Sequence, residues 1–174
     1  MSNKKIVMIK KPADFPGESN FKLIVEDQIK LKEKEVRIQT LWLSLDPYMR
    51  GSMNRIEEGD IMVGELIGKV VESKSEIIPS GAIVLSKAGW QTCPVVNEKN
   101  IKIVDSRIDP LSLALGAIGM PGLTAYFGLT KIGKPKPGET VVVSAGSGAV
   151  GSVVGQISKK LGCKVVGIAG SDEK

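Results

Sequence analysis

The stretch from Glu139 to Ala169 constrains the fold more than any other part of the chain. Residues 139–144 (ETVVVS) form a nearly continuous apolar run, the kind that is buried on both faces of a parallel sheet. Residues 145–151 follow as AGSGAVG, which fits G-x-G-x-x-G at Gly146, Gly148 and Gly151. The spacing then predicts a helix over Gly148–Leu161, capped by Gly162, and a second apolar strand over Lys164–Ala169. Strand, glycine turn, helix and strand in this order make one βαβ unit.

Such a turn has a physical use. Gly146 permits the tight turn, Gly148 lets the backbone approach a pyrophosphate with no Cβ in the way, and Gly151 lets the helix pack close to the strand. Gly155, one turn on, is expected to serve the same close packing. The helix N-terminus then offers free N–H groups and the positive end of its dipole to phosphate. A unit selective for NAD(H) carries an acid at the end of the second strand for the ribose 2′-hydroxyl. Here that place holds Ala169, Gly170 and Ser171, which leave room for a 2′-phosphate, with Lys174 as its counter-charge. NADP(H) is therefore the expected cofactor, and Asp172 is the residue that argues the other way.

The rest of the chain has a different texture. Short, often alternating apolar runs predict strands at Lys5–Lys10, Phe21–Val25, Glu35–Ser44, Glu65–Ser73, Ala82–Ser86, Gln91–Val96 and Ile101–Val104. Turn formers such as Pro16-Gly17, Asp46-Pro47 and Gly59-Asp60 separate them, as in a compact antiparallel or barrel-like domain. From Asp109-Pro110 the segment PLSLALGAIGM has the spacing of an amphipathic helix, and a second helix begins at Pro121. The expected domains are residues 1–118 and 119–174.

Composition excludes several chemistries. With no histidine in 174 residues there is no imidazole base, no Ser-His-Asp set and no zincin helix. Cys93 and Cys163 lie far apart and suggest buried thiols rather than a disulfide or a metal site. The net charge of +5 is spread along the chain with acids and lysines interleaved, unlike a phosphate-tracking surface, so no nucleic-acid partner is expected. No apolar run approaches the roughly 20 residues of a spanning helix, and lysines break the N-terminus, so no membrane partner and a cytoplasmic location are expected.

Three further segments carry a family resemblance. LSLDPYMRG (Leu43–Gly51), GMPGLTAYFGL (Gly119–Leu129) and SGAVGSVVGQ (Ser147–Gln156), closed by GCKVVGIAGSDEK, resemble the zinc-free medium-chain dehydrogenase/reductases, in the branch of NADP-dependent alkenal and enone double-bond reductases. The resemblance runs through essentially the whole chain. It implies a mixed β and α/β architecture: a GroES-like, partly open β-barrel domain for substrate, followed by the first βαβ unit of a Rossmann domain, truncated. Position by position, it implies that Gly148, Ala149, Val150 and Gly151 hold the pyrophosphate and Lys174 the 2′-phosphate. Met120 and Thr124 would lie near the nicotinamide. Tyr48 would line the substrate cleft where metal-dependent relatives place a ligand, unless it is a packed aromatic at a turn. Asp46 and Arg50 would fix that loop by hydrogen bonds and ion pairing.

The implied reaction is reduction of the C=C bond of a small α,β-unsaturated aldehyde or ketone by hydride from NADPH. Quinone reduction within the same superfamily is one alternative. The other is a non-catalytic, truncated domain that binds nucleotide weakly or pairs with another chain, since a two-strand Rossmann start leaves bare edges through which a homodimer could form.

Overall fold

The structure is a computed structural model, and it describes residues 2–171. Two compact units divide between Asp109 and Pro110, nine residues before the boundary expected at 118/119.

The first unit is all antiparallel. Strands β1 (Asn3–Met8) and β2 (Phe21–Glu26) form a hairpin-like ribbon. Strands β3 (Glu35–Leu43), β4 (Leu66–Ser73), β5 (Ile83–Ser86), β6 (Val95–Asn97) and β7 (Ile101–Ile103) form a five-stranded sheet in the order β6-β3-β4-β5-β7. This is the curled, partly open barrel that the resemblance implied. The expected strand at Gln91–Val96 starts late, because Pro94 has no N–H to give the ladder and the paired run begins after it.

The curl follows from β3 and β4. Their register shifts at Arg37/Ile38 and at Thr40/Trp42, and such bulges bend and twist a strand. Inside lie Val36, Ile38, Leu66, Val70, Ile78, Val84 and Val96. Each such side chain contributes about 1.5–3 kcal/mol when fully buried. Gly68 makes the closest approach in the sheet: a Cβ there would stand 2.3 Å from the Ile38 side chain and 2.5 Å from the Gln39 carbonyl oxygen.

A second core joins the ribbon to the barrel. Met8, Met49, Met53 and Met62 pack together, with Ile6, Phe21 and Trp90 against them, the two rings stacked at 6.2 Å. Met49 and Met53 are four residues apart on α1 (Tyr48–Ser52 and its C-cap), a short helix the sequence reading missed in the Asp46-Pro47 turn.

The second unit opens differently from expectation. Residues 109–119 do not form an amphipathic helix: only Leu111–Ala114 is helical, of the tighter 3-10 kind, with Leu115 N–H bonding to Ser112 O at 3.1 Å. Gly116 and Gly119 lower helix propensity there, and Gly119 must pass so close to the Ala114 carbonyl that a Cβ would lie 2.2 Å from it. The next helix, α2 (Met120–Phe127), carries Pro121 in its first turn, where the missing N–H costs nothing. It runs on as a π-helical turn over Gly128–Gly133.

After that come β8 (Thr140–Ser144), α3 (Ala149–Lys160) and β9 (Lys164–Ile168), the βαβ unit, with β8 and β9 parallel and in register from Thr140/Lys164 to Ser144/Ile168. Gly162 closes α3 as expected. At φ 81° its N–H bonds to Lys159 O at 3.0 Å and the Cys163 N–H to Ser158 O at 3.0 Å, a Schellman cap. Cys93 and Cys163 are both buried free thiols. Among the described residues no helix is long and apolar enough to cross a membrane.

Candidate nucleotide-binding site

The glycine turn sits at the C-terminal end of β8, where parallel sheets bind ligands. Its first constraint falls on a residue the sequence reading passed over: Ala145 turns the chain, at φ 51°. Gly146 is not in the left-handed region. Its N–H bonds to Ile168 O at 2.8 Å, and a Cβ on it would lie 2.9 Å from the Gly167 Cα. Gly146 thus allows the turn to lie on β9 rather than supplying the bend itself.

Gly148 is the N-cap of α3, extended at φ −73° and ψ 169°, with no side chain capping the helix. The first full helical bond runs from Ser152 N–H to Gly148 O at 2.9 Å. The amides of Ala149, Val150 and Gly151 therefore precede the helical ladder, in the positions where a helix start leaves N–H groups without an intrahelical partner. No acid lies in the first turn of α3 to compete with an anion for those amides, while Lys159 and Lys160 in the last turn suit the negative end of the helix dipole.

Gly151 has the sharpest steric requirement of the three. A Cβ there would stand 2.3 Å from the Ala145 carbonyl oxygen, so the glycine sets how closely α3 seats on its own turn. Gly155 was expected to do the same against the strand, and it does not. A Cβ there would meet Val165 Cγ1 at 3.6 Å, an ordinary contact.

The remaining expected residues divide between the two units. Met120 and Thr124 lie on α2, which packs on α3, and both are exposed. The Thr124 hydroxyl donates to Met120 O at 2.8 Å, so that side chain is held along its own helix. Gly170 and Ser171 follow β9, exposed, with no carboxylate between Lys164 and Ser171. Lys174 and Asp172, which bear on the 2′-phosphate, lie outside the described residues.

Tyr48 belongs to the first unit. Burying Met49 and Met53 turns one face of α1 inward and leaves Tyr48 half-exposed at 43%. Burial of the phenol, then the nearby charges of Asp46 and Glu65, push its pKa above the ordinary value, so it stays a protonated donor. Asp46 accepts from the Ser44 hydroxyl, as a loop-fixing residue should. Arg50 differs from expectation: it donates to the Asp14 carbonyl and forms no ion pair among the described residues. Glu65 also borders an open groove of about 530 Å³ with Ser86, Lys87, Gln91, Asn97 and Ile101. Tyr48 does not line that groove.

Known proteins resemble this chain over nearly its whole length. The family model for the N-terminal domain of oxidoreductase matches residues 4–104. Prostaglandin reductase 1 of Bos taurus is 54% identical over 163 residues, which cover 92% of this chain and 50% of that protein. The NADPH-dependent curcumin reductase of Escherichia coli (strain K12) is 43% identical over 180 residues, 99% of this chain and 52% of its own. The crystal structure of CurA in complex with NADPH from Vibrio vulnificus matches with a TM-score of 0.89 at 39% identity, covering 98% of this chain and 52% of that one. The chain thus spans about half the length of the relatives it matches. It belongs to the medium-chain dehydrogenase/reductase family, with the oxidoreductase N-terminal domain over residues 4–104 followed by a strand, glycine turn, helix and strand of the Rossmann type.

Proposed function

We propose that this chain is the N-terminal part of an NADPH-dependent reductase of α,β-unsaturated aldehydes and ketones. The observation that carries the reading is the uncapped N-terminus of α3, set in a turn where Gly146, Gly148 and Gly151 have no room for, or no need of, a Cβ. That donor set fits a pyrophosphate, whose negative oxygens take unpaired amides at the positive end of a helix. The small, acid-free end of β9 favours NADP(H) over NAD(H). Relatives named as a prostaglandin reductase and an NADPH-dependent curcumin reductase support both the cofactor and the substrate class, curcumin being a conjugated enone.

When bound, NADPH supplies hydride to the β-carbon of the conjugated carbonyl. The chain's own residues bind and orient. Ala149, Val150 and Gly151 amides hold the pyrophosphate, Gly170 and Ser171 leave space for the 2′-phosphate, and Met120 and Thr124 border the nicotinamide. Tyr48, kept protonated, lines the substrate cleft and can donate a hydrogen bond to a carbonyl oxygen as negative charge develops on it. A cytoplasmic setting belongs to the same reading.

The test pairs binding with turnover. Calorimetry should show NADPH binding to this chain, and Gly148→Asp should abolish it. Asp is itself a good N-cap, so it keeps the helix and occupies its amides with a carboxylate of the wrong sign for a phosphate partner. Equal affinity in the variant would refute the site. NADPH oxidation with an alkenal as acceptor, faster than with a quinone, is the expected activity; a preference for quinone would move the chain to the other branch.

A second reading is favoured by the exposed Val142, Val166 and Ile168 on β8 and β9. It is a catalytically silent chain that covers this surface with a second copy, and a monomeric mass in solution would overturn it.

A further inference from the structure

A different part of the first unit holds buried donors with nothing to bond. Arg37 lies in β3 opposite Glu72 of β4, at the bulge between Arg37 and Ile38. Its side chain is 9% exposed. The guanidinium is fixed on two sides, by Nε donating to Glu72 Oε2 at 2.9 Å and by Nη2 donating to Ile29 O at 2.7 Å. Nη1 is buried and has no acceptor among the described residues, and neither has the buried Nε2 of Gln28.

Both residues line one open cavity at the surface, of about 300 Å³, together with Lys30, Glu72 and Lys74. Buried N–H groups are almost always satisfied, and each one left unpaired costs about 1–3 kcal/mol. With Nε and Nη2 both held, Nη1 is left as a rigidly placed charged donor, which suits a planar or tetrahedral oxyanion. The charges agree: Arg37, Lys30 and Lys74 against Glu72 leave the lining net positive. The volume is at the small end for ligand pockets.

We propose that this cavity is a binding site for a small oxyanion, a carboxylate or an inorganic phosphate, held by Arg37 Nη1 and Gln28 Nε2. The loop that carries Gln28 and Ile29 covers the arginine, so the ligand would also tie that loop to the bulge of β3. Nothing in the proposed reductase chemistry uses this site, and its failure would leave that reading untouched.

The experiment titrates acetate and inorganic phosphate separately into the full chain at constant ionic strength, followed by calorimetry and by the side-chain amide resonances of Gln28. Saturable binding of either is expected, and the tighter of the two identifies the ligand geometry. Gln28→Leu should weaken it about tenfold, the loss of one hydrogen bond to a charged group. Arg37→Lys, which keeps the charge and loses the fixed Nη1 donor, should weaken it further. Should the buried Arg37→Lys variant fail to fold, Gln28→Leu decides alone, since Gln28 lies in a loop outside the sheet. No saturable binding by either probe, or binding unchanged in Gln28→Leu, overturns the proposal, as does a crystal grown in both anions with only water in the cavity.

Discussion

Ala145 carries the left-handed conformation that the motif led one to expect of Gly146, and the difference shows how single residues divide the work of a turn. A motif states which positions are small without stating why each is small. Here Gly146 is small for the sake of Gly167 across the turn, and Gly151 for the Ala145 carbonyl. Tyr48 makes a second residue-scale point. Its raised pKa means that ionising it is harder in the folded chain than in the unfolded one. The stability from the protonated phenol is therefore complete below the ordinary tyrosine value of about 10 and is lost as pH rises through the folded value. Tyr48→Phe should lose less of its unfolding midpoint than the parent chain as pH rises above about 10. Thermal melts across that range check it, and parallel curves would show that Tyr48 ionises as an ordinary phenol.

At the scale of elements, α3 contains a controlled comparison. Gly151 and Gly155 sit one turn apart on one helix, and only the first lacks room for a Cβ. Gly151→Ala drives a methyl into the Ala145 carbonyl, and overpacking of this kind costs about 1–3 kcal/mol. It should lower the unfolding midpoint and weaken NADPH binding together, because the turn and the helix amides move as one. Gly155→Ala meets ordinary contact with Val165 and removes a flexible residue from a helix interior. It should stabilise by about 0.5–1 kcal/mol and leave NADPH binding unchanged. Melting and calorimetry on the two variants read both signs, and a destabilised Gly155→Ala would restore the close-packing role that the structure denies it. The segment after Asp109 teaches the reverse lesson. Its apolar spacing suited a helix, but Gly116 and Gly119 reduced it to a 3-10 turn over Leu111–Ala114.

For the whole molecule, the main core of the first unit is drawn entirely from residues between Val36 and Val96. Ile38 is fully buried in it, and Ile38→Ala should cost about 2–5 kcal/mol. Amide exchange should accelerate through β3, β4 and β5 and stay unchanged in β8, α3 and β9. Acceleration in both units would show that they unfold as one.

The βαβ unit was legible in the sequence because every signal for it is local: a continuous apolar strand, three glycines at fixed spacing, and a glycine cap. The seven strands of the first unit were legible for the same reason, though β1 lies two residues earlier than expected and β6 starts only after Pro94. What no local pattern carries is a contact between distant segments. The meeting of Gly146 with Gly167, the gathering of Met8, Met49, Met53 and Met62, the boundary at Asp109, and the burial of Arg37 beneath the Gln28 loop all depend on which parts of the chain are brought together. Spacing along the sequence determines which faces are apolar and where the backbone can turn. Only packing decides which of those faces meet and which polar groups are left to find a partner.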